Sequence, residues 1–160
     1  MTLQELHKEI ETANTELGSV LSELDEVMKE SLISGDTPAI RNGGASLVAQ
    51  CYSGIENILK RVAIFRDKKI PSGYDWHISL VKLFQTSDSL NSDSFVNDEL
   101  FSKLNLMRKF RHVAHHGYGF KLNWQTVKTA AIETPEIVDT FMKSLNKYLA
   151  ELEKAPSNKT

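Results

Sequence analysis

Apolar residues recur over the first thirty positions in alternating steps of three and four: Leu3, Leu6, Ile10, Ala13, Leu17, Val20, Leu24 and Val27. This heptad-type stripe predicts one long helix whose seam serves a bundle interior or a pairing surface. Ser34 to Pro38 breaks the pattern, with Thr37 placed to cap a second helix and Pro38 at its first position. Val48, Cys51, Ile55, Ile58, Leu59 and Val62 give that helix its inner face and predict an end near Arg66, while Gly43 and Gly44 weaken its start or permit close helix contact. Ile70 to Tyr74 reads as a turn, and Asp75 is placed to cap a short helix from Trp76 through Phe84.

Residues 85–94 (QTSDSLNSDS) read as a polar loop, after which Asp93 or Ser94 caps a third long helix. Its inner side is Leu100, Phe101, Leu104, Met107, Phe110 and Ala114, and Gly117 and Gly119 loosen or end it. Helical spacing resumes at Trp124, itself read as a core residue. Pro135 either starts a fresh helix or kinks a longer one carrying Ile137, Phe141, Leu145, Tyr148, Leu149 and Leu152. No alternating strand pattern and no fixed repeat appears. The expectation is an all-α, antiparallel up-and-down bundle of four main helices plus a short one, forming a single domain over residues 1–154 with a frayed tail at 155–160.

Composition narrows this little: 41% hydrophobic and 25% charged residues fit a globular domain rather than a disordered or fibrous chain. The single Cys51 cannot form an intramolecular disulfide, no Cys/His array resembles a structural zinc site, and no run of about 18 apolar residues is present. A reducing, cytoplasmic setting with no membrane contact is the reading that follows.

Charge changes the picture more. The net charge of −2 argues against wholesale nucleic-acid binding, yet residues 1–36 carry nine acidic side chains against Lys8 and Lys29. Residues 101–128 are the reverse, with Lys103, Arg108, Lys109, Arg111, Lys121 and Lys128 and no acid. A second cluster comprises Lys60, Arg61, Arg66, Lys68 and Lys69 around Asp67. Such segregation marks candidate anion-binding faces, against the plainer reading of solvated helix surfaces.

Within the cationic segment, RKFRHVAHHGYGF (108–120) concentrates three cations, three histidines and Tyr118. At 100° per residue Arg111 and His115 share a face, as do His112 and His116, whereas Arg111 and His116 stand about 140° apart and would line a broad groove. Three chemistries compete. His112 and His116 have helical metal-ligand spacing, but no neighbouring Glu, Asp or Cys completes a site. The histidines could equally be exposed side chains near a helix end. The third is metal-free phosphodiester cleavage through the RNA 2′-hydroxyl. Imidazoles titrating near neutral pH would move the protons there, and a planar guanidinium would hold the charged phosphorane.

Arg111, four residues, His116, one residue, Tyr118 resembles the Arg-x4-His-x-Tyr signature of the HEPN superfamily, and the polar His112 after the arginine fits it. YSGIENILKRVA (52–63), PSGYDWH (71–77) and the run from Arg108 to Trp124 together resemble the HepT-like ribonuclease toxins in order and spacing. The resemblance implies a HEPN-like fold and a homodimer whose facing signature helices build a composite, metal-independent endoribonuclease site with no cofactor. It further implies RNA as substrate and a minimal nucleotidyltransferase as a possible antitoxin. By the same analogy Arg111 clamps the phosphate, His116 moves the proton, and Tyr118 positions substrate or accepts an adenylyl group. His112 orients Arg111 or contacts phosphate, while Arg108 and Lys109 add positive charge. His115 stands where the family pattern carries an arginine and is a rival proton carrier. Glu56 is expected either as an ion-pair partner of the signature arginine or as a solvent-facing charge, and Trp76 and His77 as packing and capping residues. The alternative functions are a catalytically inactive HEPN module binding nucleotide, RNA or a nucleotidyltransferase, and a purely structural helical protein assembling through residues 3–27.

Overall fold

Thr2 and Glu5 start the first helix by a reciprocal cap: Glu5 N–H donates to the Thr2 hydroxyl at 3.2 Å and Thr2 N–H donates to the Glu5 carboxylate at 2.6 Å. The protein is described by a computed structural model over residues 1–86, 93–116 and 122–154. Helix α1 (Leu3–Ser34) buries Leu6, Ile10, Leu17 and Leu24, the centre of the predicted stripe. Gly35, at φ +75°, ends it in a conformation that a residue with a Cβ rarely adopts. Thr37 then accepts the Ile40 N–H at 3.2 Å and opens α2 (Pro38–Phe65), with Pro38 in the first turn as expected.

Short α3 (Trp76–Lys82), α4 (Asp98–His116) and α5 (Trp124–Lys154) complete the order. The bundle is all-helical, four long helices and one short one among the described residues, as the apolar spacing predicts. Its directions follow from side-chain neighbours. Glu9 meets Arg61, Leu17 meets Gly54 and Val27 meets Gly44, so α1 and α2 run antiparallel. His7 meets Glu153 and Gly44 meets Val127, which sets α5 antiparallel to α1 and along α2. Two of these contacts depend on missing side chains. A Cβ on Gly54 would fall 2.7 Å from Leu17 Cδ2, and one on Gly44 would fall 3.1 Å from Val127 Cγ1.

The main core joins α1, α2, α3, α4 and α5 around Tyr52, Ile55, Leu59, Leu104 and Phe141. A smaller cluster at the other end unites Leu24, Leu47, Val48, Phe110, Val127 and Ala131, and Trp124 is half-buried against it. It supports the C-terminal half of α4.

Several boundaries differ from the sequence expectation. Helix α3 ends at Lys82, with Leu83 and Phe84 in a turn, and Asp75 occupies the N-cap position without a side-chain cap bond. Helix α4 begins at Asp98 rather than after Asp93 or Ser94, and the cap is Asn97, whose Oδ1 accepts the Leu100 N–H at 2.8 Å. The intervening Phe95 and Val96 are taken by the core. Both of their N–H groups donate to the Phe84 carbonyl, and Phe95 stacks on Tyr148 at 5.0 Å. Pro135 starts no new helix: α5 runs through it, and the proline ring removes only the bond that the Ala131 carbonyl would accept. Residues 87–92 of the expected polar loop, Gly117, Tyr118 and Gly119, and the tail at 155–160 lie outside the described residues.

Asp93, expected as a helix cap, is instead buried at the junction of three segments. Its Oδ1 accepts the Tyr148 hydroxyl at 3.0 Å and pairs with Arg66 Nε at 2.7 Å, while its Oδ2 pairs with Lys68 Nζ at 3.0 Å. Burial alone would raise its pKa, but Lys68, Tyr148 and Arg66 together hold it below the usual aspartate value. A carboxyl whose folded pKa is depressed stabilises the fold above its unfolded value, near pH 4, and loses that contribution as pH falls through the folded value.

Asp93→Asn is therefore expected to cost about 2 kcal/mol at pH 7, by weakening charge-assisted bonds and leaving Arg66 and Lys68 without a counter-charge. In urea denaturation the gap between variant and wild type should narrow as pH drops below about 4. Gly54→Val should cost about 2 kcal/mol in the same assay, because overpacking against buried Leu17 outweighs the small gain in helix propensity.

Candidate functional site

Helix α4 carries the cationic stretch because one side of it is consumed by the core. Leu100, Leu104, Met107 and Phe110 face inward, which turns Lys109, His112, His115 and His116 to solvent and leaves Arg108 and Arg111 half-buried on a flank. The helix is described through His116, so Arg111 and His116 keep the helical offset of about 140°. Both are open to solvent, Arg111 half-buried and His116 exposed.

Arg111 leans toward α2, where its Nε–H donates to the Ser53 hydroxyl at 3.0 Å. This is its sole polar contact among the described residues. The pairing with Glu56 is not formed. Glu56 is neither solvent-facing nor joined to the arginine: it is buried at 2% exposure, and His77 Nδ1 from α3 lies 3.0 Å from each of its oxygens. An ionised carboxylate only accepts, so Nδ1 carries the proton in this pair. The His77 ring packs on Trp76 with centroids 3.6 Å apart and the planes tilted by 32°, and Lys60 Nζ sits 4.5 Å above the Trp76 ring. Trp76 and His77 thus pack, as expected, but His77 also satisfies a buried charge.

Tyr52, one turn before Glu56, is fully buried with its hydroxyl close to the Glu56 carboxylate. Burial first, and then the nearby Glu56 charge, push its pKa far up, while Arg108 and Arg111 pull the other way. The four groups therefore share one neighbourhood between α2 and α4. Burial also pushes the Cys51 thiol up to about 11, which keeps it a neutral core residue rather than a nucleophile.

On the outer face of α4 the His112 and His116 rings lie 4.8 Å apart, tilted by 44°. The expectation that His112 orients Arg111 is not met, since His112 lies beside His116 and Ser53 holds the guanidinium. No group of three or more His, Cys, Asp or Glu among the described residues is placed to hold a metal. Arg108 Nε donates within its own helix to Asn105 at 2.9 Å. Lys109 borders a groove of about 260 Å³ formed with Leu106, Phe110, Val113 and Thr126. Tyr118 lies outside the described residues.

Four of the five cations in the second cluster are engaged, and Lys69 is exposed without an ion pair among the described residues. Arg66 and Lys68 are taken by Asp93, Arg61 by Glu9 at 3.3 Å, and Lys60 by the Trp76 ring. A groove of about 690 Å³ between α1 and α2 is lined by Glu5, Glu9 and Glu16 opposite Lys60 and Arg61, and no residue of the 108–116 stretch borders it. The end of α4 combines cations with three exposed imidazoles in one short segment that has no acidic residue. Sequence reasoning did not single out Ser53. The available signal was its position three residues before Glu56, which puts both on one helix face.

No helix among the described residues is long and apolar enough to cross a membrane. A search of curated proteins and a search of solved structures each returned no match. A family model described as HepT-like protein matches residues 44–152, which takes in α2 from Gly44, all of α3 and α4, and α5 to within two residues of its end. That span contains Ser53, Glu56, His77, Arg111 and His116 in one continuous match over more than half of the chain, and on it the chain belongs to the HepT-like protein family.

Proposed function

We propose that this chain is a metal-independent endoribonuclease toxin of a toxin–antitoxin pair, acting as a homodimer in the cytoplasm, with Arg111 and His116 of both protomers lining one cleft. The observation that carries the reading is the solvent-open imidazole pair of His112 and His116 beside an arginine held by a neutral hydroxyl, on a helix end without acidic residues. Membership of the HepT-like family supports it. The offset of about 140° between Arg111 and His116 suits a cleft between two chains, which collects side chains from a wider arc than one helix face presents.

In the proposed reaction His116 takes the proton of the RNA 2′-hydroxyl as the 2′-oxygen bonds to phosphorus. An imidazolium, the partner subunit's His116, gives a proton to the departing 5′-oxygen as the P–O5′ bond breaks. The products are a 2′,3′-cyclic phosphate and a 5′-hydroxyl. Arg111 holds the non-bridging oxygens as charge accumulates on the phosphorane, for which a planar, permanently charged fork is suited. His112, His115, Arg108 and Lys109 hold the flanking backbone, and Tyr118 positions substrate and is the candidate acceptor of an adenylyl group from a nucleotidyltransferase antitoxin.

Purified wild-type protein is expected to cleave RNA in the presence of a chelator and to leave 2′,3′-cyclic phosphate ends, detected by their resistance to 3′-end ligation until the phosphate is removed. Arg111→Ala and His116→Ala should each lower the cleavage rate by at least about 100-fold, and His115→Ala by no more than about tenfold. His116→Ala with wild-type activity would refute the assignment. Wild-type protein that binds RNA without cutting it would place the chain with the inactive binding modules instead.

A further inference from the structure

Several of the arginines and lysines that pack against the bundle are compensated by an acid or an aromatic ring. Arg41 has Asp36, Arg61 has Glu9, Arg66 and Lys68 share Asp93, and Lys60 has the Trp76 ring. Arg108 and Arg111 are treated differently, each half-buried with a neutral partner, and Arg111 takes the Ser53 hydroxyl although the buried Glu56 carboxylate shares its neighbourhood around Tyr52. Ser53 and Glu56 are three residues apart on one face of α2, so a guanidinium resting on Ser53 is about one helical turn from Glu56.

The Arg111–Glu56 pair would be favourable in a half-buried site, and its absence has a visible cause. Glu56 is already held by His77, which approaches from α3 and spans both carboxylate oxygens at 3.0 Å. The His77 ring is itself braced by Trp76, beneath Lys60. The Ser53 contact has a geometric consequence too. Because Nε is the atom engaged, the two terminal nitrogens of Arg111 are left unbonded among the described residues. Those nitrogens form the edge of a guanidinium that meets a phosphate through two parallel bonds.

We propose that Ser53 and His77 are positioning residues that keep Arg111 available for an anion: Ser53 by taking up Nε–H, and His77 by occupying Glu56, which would otherwise neutralise the arginine. The proposal rests on the nuclease reading for its effect on catalysis, but the arrangement itself is measurable without any substrate.

The experiment combines RNA cleavage with the Nε–H resonance of Arg111 in a proton–nitrogen spectrum, assigned by its loss in Arg111→Ala. Ser53→Ala should lower kcat about tenfold with little change in KM, and Ser53→Thr, which keeps the acceptor, should retain activity. His77→Phe keeps a ring against Trp76 but cannot donate. It should lower kcat at least tenfold and move the Arg111 resonance as the guanidinium turns to Glu56. Adding Glu56→Gln to His77→Phe should return both kcat and the resonance most of the way to wild type, which a merely structural role for His77 would not produce. His77→Asn, with an amide nitrogen able to reach the carboxylate, should behave like wild type.

An Arg111 resonance unchanged in both Ser53→Ala and His77→Phe overturns the proposal, as does a double variant no more active than His77→Phe while wild type cleaves. If Arg111→Ala cleaves as well as wild type, the nuclease reading falls, and the resonances alone then decide whether Ser53 and His77 hold the arginine.

Discussion

Helix α2 is enclosed by α1, α3, α4 and α5, and the need to bury it without stranding its polar groups shapes the rest of the molecule. Fourteen of its residues are buried, among them the carboxylate-bearing Glu56 and the phenolic Tyr52. An ionised carboxylate in such a place persists only with a partner close to both oxygens. The short helix α3 supplies it through His77 while seating Leu80 and Val81 in the core. On the flank facing α4, Ser53 makes a polar contact that reaches out of the interior to a residue of the cationic stretch. The candidate site is in this sense an extension of the bookkeeping that any central helix imposes on polar side chains.

Charge segregation along the chain acquires a structural meaning once the pairs are known. The acidic α1 compensates α2 through Glu9 and Arg61, and the loop before α4 compensates the end of α2 through Asp93. At the exposed end of α4, by contrast, cations and imidazoles cluster with no acidic residue in the same segment. Exposed i,i+4 pairs such as Lys29 with Asp25 and Lys143 with Asp139 add little to stability. The Asp93 junction is different, because it is buried and collects two cations and a phenol. One carboxylate therefore closes the fold where three segments meet, and the same stretch of α2 that begins beneath Arg111 ends in its grip.

The bundle was legible in the sequence because helical periodicity is a local signal. The seam of α1, the break at Gly35, the cap at Thr37 and the inner face of α4 all follow from spacing and residue type. The start of α4 was not legible, because Asp93 satisfies every local rule for a cap and is claimed instead by tertiary partners at residues 66, 68 and 148. The same distinction runs through the site. Arg111 and His116 stand out through their spacing in one segment, whereas the partner of Arg111 lies 58 residues away and that of Glu56 lies 21 residues away. A serine among apolar neighbours announces nothing until the facing helix is in place. The second cationic cluster misled for the converse reason, since its counter-charges are distant in the chain and near in space.

The rigidity of α4 gives the Asp93 junction a reach beyond its own surroundings. From Asp98 to His116 the helix spans 19 residues, about 28 Å at the rise of an α-helix. A rod of that length acts as a lever: a tilt of a few degrees where it leaves the junction sweeps its far tip through an ångström or more. The aim of the imidazoles is set jointly, by the apolar seats of Met107 and Phe110 in the bundle and by the Asp93 junction that anchors the segment leading into the helix.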